Sequence, residues 1–72
     1  MTYGEKAVGL SFNPGGHALV DTVKRQYAEI IDTLAMVRDS VETSEAKRLC
    51  SIAITEAQTA QMWAVKAITW KD

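Results

Sequence analysis

Cations set beside apolar seams and aromatic rings are the residues of this chain best suited to chemistry. On a wheel of 100° per residue, Arg48, Thr55, Thr59 and Lys66 share one narrow polar stripe bordered by Trp63. Lys24 follows Val20 by four positions and precedes Tyr27 by three, which places it beside an apolar seam and away from the solvent side. Phe12 heads the run Ser11-Phe12-Asn13-Pro14-Gly15-Gly16. There Pro14 restricts Asn13 to extended backbone, and two glycines admit positive φ or the close approach of another group. Cations at the margin of an apolar surface, with hydroxyls and a ring nearby, can hold a phosphate and stack a base. A plainer reading is also open. Arg48 and Lys66 would snorkel at an interface rim, Lys24 would pair with an acid, and Phe12 would staple a helical hairpin.

Catalysis and metal binding find little footing. His17 is the only histidine and Cys50 the only cysteine, so no four-ligand zinc site can be assembled and no internal disulfide can form. Cys50 falls among small apolar residues and is read as a buried small hydrophobe. No Ser-His-Asp or Cys-His set suggests itself, and Gly15-Gly16 lacks the Gly-Lys-Ser/Thr ending of a phosphate-binding loop. The reading is therefore a binding protein and not an enzyme, with no catalytic residue, metal or cofactor.

These residues need long helices to position them. From Ala46 to Trp70 the small residues Ala46, Cys50, Ala53, Ala57, Ala60, Ala64 and Ala67 recur at steps of four and three, the spacing of a helix–helix seam. Leu49, Ile52, Trp63 and Trp70 lie beside that stripe, so the apolar arc is too wide for one partner helix. The first long helix is expected over residues 18–40, with Val20, Val23, Tyr27, Ile30, Leu34, Val37 and Val41 as its seam. Large residues on that seam would pack over the alanine stripe. Residues 39–43 form a short polar connector, Ser44 is the expected N-cap, and the second helix runs over 44–70. Residues 1–17 are an arm and turn, with 1–10 either a short helix or irregular. The fold class is all-α: one domain, an antiparallel two-helix hairpin with a short N-terminal arm.

Totals add constraints. A 72-residue core is small, and such domains usually need a disulfide, a metal or self-association; here self-association is left. The formal net charge of −1 argues against a general binder of DNA or RNA duplexes. No signal peptide is evident, the single thiol suits a reducing cytosol, and no uncharged run is long enough to span a membrane.

With these residues in view, the chain resembles the small phage anti-CBASS sponge proteins, which share a helical-hairpin domain with one class of Thoeris anti-defence sponges. Three places carry the resemblance. Ala53-Ile54-Thr55 leading to Met62-Trp63-Ala64-Val65-Lys66-Ala67 is the most specific. Val23-Lys24 and Phe12-Asn13-Pro14 are the others. The resemblance implies a homohexamer of hairpins in the cytoplasm of the infected host. It implies sequestration, without cleavage, of cyclic oligonucleotide messengers, so that the CBASS effector is never activated. Cyclic dinucleotides such as cGAMP would sit between two protomers, and some members hold cyclic trinucleotides at separate sites. Carried over position by position, Phe12 matches the base-stacking aromatic, a tyrosine in relatives, and keeps its π-face without its hydroxyl. Lys24 matches the phosphate-contacting lysine, and Arg48 the arginine that reaches in from a neighbouring protomer. Asn13 and Thr55 are polar contacts, while Met62 and Trp63 are read as packing residues. The alternative to a sponge is a structural or adaptor hairpin that binds a protein partner through its apolar faces.

Overall fold

The computed structural model describes residues 1–72, and all three of its elements are helical: α1 (Tyr3–Ala7), α2 (Ala18–Ser40) and α3 (Ser44–Thr69). The three-residue link 41–43 is too short for anything but an antiparallel return, and α3 packs along α2. The N-cap of α3 is Thr43, one residue before the expected Ser44. Its hydroxyl accepts from the Ala46 N–H at 3.1 Å, and its carbonyl already accepts the Lys47 N–H. At the other end of the hairpin α2 starts at His17, whose Nδ1 accepts the Leu19 N–H at 3.2 Å. Asn13 braces this start from outside. Its amide nitrogen donates to the His17 carbonyl at 3.0 Å, and its oxygen accepts the His17 N–H at 3.1 Å. Gly15 and Gly16, both at positive φ, turn the chain between them.

The arm is ordered. Thr2 and Glu5 form a reciprocal capping box at the start of α1. Gly9 at φ 63° ends the helix with two bonds, from its own N–H to Lys6 and from the Leu10 N–H to Glu5. α1 then lies against α2. Gly4 makes this approach possible: a Cβ there would collide with the Ala28 carbonyl. Its N–H instead donates to Asp32 Oδ1 at 2.7 Å.

Docking of the arm changes which residues are inside. The core is Val8, Leu10, Ala28, Ile31 and Ile54, with Tyr27, Leu34, Ala35 and Ala57 packed against it. The seam expected on α2 included Ile30 and Val37, and both are exposed. Because α2 is covered by the arm as well as by α3, its buried arc centres on Ala28 and Ile31. On α3 the alanine stripe is likewise displaced. Cys50 and Ala57 face the core, but Ile54 and Gln61 are buried where Ala53 and Ala60 were expected, and Ala60 and Ala67 face solvent. Turning Ile54 inward removes more apolar surface from water than turning an alanine inward. A close backbone approach occurs between Gly4 and Ala28.

The molecule is a slab of 46 × 24 × 13 Å, as thin as a single helix in one direction. Only 10 of 72 residues are therefore buried. Leu49, Ile52, Trp63 and Trp70 form an apolar stripe along the outside of α3, and Leu19, Ile30 and Val37 lie exposed along α2. No helix is long and apolar enough to cross a membrane.

Candidate ligand-binding site

Lys24 is the most unusual side chain in the structure. It is 4% exposed. Its ammonium donates to the Gly9 carbonyl at 2.9 Å and to the Phe12 carbonyl, and it lies 5.5 Å from the centre of the Phe12 ring. The acid partner anticipated as the plainer reading is absent: the ion pairs are Asp21–Arg25 and Glu45–Arg48. Burying a cation is costly unless it is hydrogen-bonded, and neutral carbonyls meet the donors without cancelling the charge. Two of three N–H donors are used. A positive charge thus sits beneath an aromatic ring, at the start of α2.

Phe12 is 72% exposed. It does not staple the hairpin. Its backbone is nonetheless held twice, since its N–H donates to Gly9 at 2.9 Å and its carbonyl accepts from Lys24. An exposed ring on a fixed backbone is a stacking platform that loses little freedom when a flat group lies on it. Asn13, next in the chain, shapes the loop by bonding His17 through both ends of its amide, which leaves it one N–H and one oxygen lone pair.

The other two expected site residues lie further along the hairpin. Both Thr55 and Arg48 are exposed on α3. Counting helical rise from the connector, Thr55 is roughly 8 Å and Arg48 roughly 18 Å along the axis from Lys24. One protomer therefore brings together Phe12, Asn13 and Lys24, and leaves Arg48 and Thr55 apart from them. Arg48 pairs with Glu45 at 2.6 Å within the first turn of α3, and both side chains are largely exposed. Such a pair is weak and easily exchanged for another anion. Arg25 is similar: its hydrogen bond to Asp21, together with the charge of that carboxylate, raises its pKa above the ordinary arginine value.

Two cation–aromatic groupings complete the surface. Lys66 lies 5.2 Å from the Trp63 ring and 5.7 Å from Trp70, a contact readable from the spacing of three and four. Arg38 lies 5.8 Å from the Tyr3 ring and donates to Ser51 Oγ at 3.0 Å. No local signal in the sequence connects Tyr3 to Arg38 or Gly4 to Asp32, since each pair depends on where the arm folds. No three His, Cys, Asp or Glu side chains come together as a metal site. The family model described as Acb2/Tad1, hairpin domain, matches residues 5–69 of the chain. No curated protein and no solved structure matches it.

Proposed function

The chain belongs to the Acb2/Tad1 hairpin-domain family of anti-CBASS and anti-Thoeris sponges, and from that membership we propose that it sequesters cyclic oligonucleotide immune messengers for an infecting phage. The ligands are cyclic dinucleotides such as cGAMP, with cyclic trinucleotides as a second class. The protein holds them intact in the host cytoplasm, so that the defence effector stays idle. The observation that supports this most directly is the exposed Phe12 ring held over the buried, acid-free Lys24. A base stacks on Phe12 while a phosphate takes up the charge of Lys24.

Arg48 and Thr55 contribute from a second protomer. Their distance from Lys24 within one chain makes a neighbouring copy the natural source. The exposed stripe of Leu49, Ile52, Trp63 and Trp70 supports self-association, and the family resemblance favours six copies. Stacking contributes about 1–3 kcal/mol per base. Charge-assisted bonds contribute about 1.5–3 kcal/mol each. Several together reach nanomolar affinity, near −12 kcal/mol, when the oligomer preorganises the site.

Calorimetric titration against cyclic di- and trinucleotides and ADP-ribose-derived messengers, followed by heat release and chromatography, tests this reading. Tight binding with the ligand recovered whole is expected; a cleaved product would refute sequestration. Phe12→Ala is expected to weaken binding by about 1–3 kcal/mol without lowering thermal stability, because the ring is mostly in solvent. Trp63→Ser is expected to raise the dissociation constant of the oligomer at least about tenfold, as loss of an exposed aromatic anchor does, measured by sedimentation. The exposed stripe also suits a protein-binding adaptor. That reading predicts silence across the nucleotide panel and retention of a protein partner by the Trp63 and Trp70 surface.

A further inference from the structure

Building on the stacking role assigned to Phe12, we propose that Asp32 is a positioning residue that sets this ring through the docked arm. Asp32 belongs to neither ion pair. Its Oδ1 accepts the Gly4 N–H at 2.7 Å, 28 residues away in sequence. The neighbouring cation in the groove between α1 and α2, Arg25, is already taken by Asp21. The carboxylate is thus committed to one backbone donor in the first turn of α1.

The links from that donor to Phe12 are hydrogen-bonded or buried. Gly4 lies so close to α2 that no side chain fits between them. α1 ends in the double bond pattern at Gly9, and Val8 and Leu10 on either side are buried in the core. The Gly9 carbonyl then accepts the Phe12 N–H at 2.9 Å and the Lys24 ammonium at 2.9 Å. With Gly4 released, the first turn of α1 would lose its tie to α2, and the Gly9–Phe12 turn would be held only by the buried Val8 and Leu10 and by Lys24. The ring would then have to be ordered by each ligand that binds, and affinity would fall.

The test has two arms. In the free protein, Asp32→Ala is expected to speed hydrogen exchange at the Phe12 amide by about tenfold or more, with the amides along the α2–α3 seam unchanged. Asp32→Asn keeps an acceptor oxygen and should restore protection, whereas Gly4→Ala, whose added Cβ would meet both the Ala28 carbonyl and Asp32 Oδ1, should reproduce the loss with the carboxylate still in the chain. Unchanged exchange at Phe12, or loss of protection spread across the whole hairpin, would overturn the proposal. In the second arm, cGAMP is titrated into both variants. Asp32→Ala is expected to weaken binding roughly tenfold in the parent chain, but to cost little more once Phe12→Ala is present. Equal losses in both backgrounds would mean that Asp32 does not act through the ring. If the parent chain binds no cyclic nucleotide, the sponge reading fails, while the exchange arm still decides whether Asp32 sets Phe12.

Discussion

Lys24→Met is expected to loosen the arm and weaken ligand binding together, each by about 1.5–3 kcal/mol for a lost charge-assisted hydrogen bond. Methionine preserves the apolar stem that lets residue 24 sit at 4% exposure, so packing along α2 survives. It removes the donors that hold the Gly9 and Phe12 carbonyls. Those oxygens must then find water or stay unpaired. The turn that presents Phe12 loses a fixed point, and the positive charge under the ring is gone. Amide exchange across residues 9–12 and calorimetry with a cyclic dinucleotide measure the two effects. Arg25→Met, one position on, is the control: Arg25 is an exposed partner of Asp21, and its loss should change neither reading. Unaltered protection in Lys24→Met would mean that the carbonyl contacts do not hold the turn.

The larger stability effect is expected at Ile31. It is 0% exposed, the most deeply buried side chain of the core that the arm, α2 and α3 share. Removing such a side chain costs the transfer of its methyl groups plus the cavity left behind, about 2–5 kcal/mol for Ile31→Ala. A core of this size rarely supplies more than about 3–5 kcal/mol. The variant is therefore expected to be largely unfolded as a monomer at room temperature. Ile31→Val should cost only about 0.5–1.5 kcal/mol. Urea titration followed by circular dichroism at several protein concentrations measures both. Self-association would appear as a midpoint that rises with concentration, because oligomers stabilise the folded chain by mass action. An Ile31→Ala variant as stable as the parent would show that Val8, Leu10 and Ile54 collapse into the space without penalty.

The two effects separate the parts of the molecule. Ile31 reports on the core that keeps arm and hairpin together, and Lys24 on the turn at the head of the hairpin. Phe12→Ala should disturb neither core nor turn, and its effect is confined to binding. A loss of affinity in all three variants, with arm protection lost only in the first two, would trace the path from core to platform.

Much of this was legible from local pattern. The uninterrupted apolar spacing and the absence of Gly and Pro within 18–40 specify α2, observed as Ala18–Ser40. The short polar link forces the antiparallel return, and the wide apolar arc of α3 does leave Leu49, Ile52, Trp63 and Trp70 uncovered in the single chain. Cys50 is buried as a small apolar residue. Phe12 and Lys24 stand out because an aromatic before Pro-Gly-Gly and a lysine beside a seam are locally odd choices, and the structure leaves the one exposed and buries the other.

What the linear chain determined by itself was periodicity: where helices run, which faces are apolar, and that those faces exceed what one hairpin can cover. Periodicity fixes a helix face only to within one or two neighbouring rows. The choice between Ile30 and Ile31, or between Ala53 and Ile54, depends on what else packs there. The tertiary structure decided it, because the arm docks on α2 through Gly4 and Asp32 and takes part of the buried arc for Val8 and Leu10. The same docking turned Lys24 from a residue at a seam edge into a buried cation held by two arm carbonyls. Contacts between residues 28 and 15 positions apart arise only when the chain closes on itself, and the platform for Phe12 exists only after that closure.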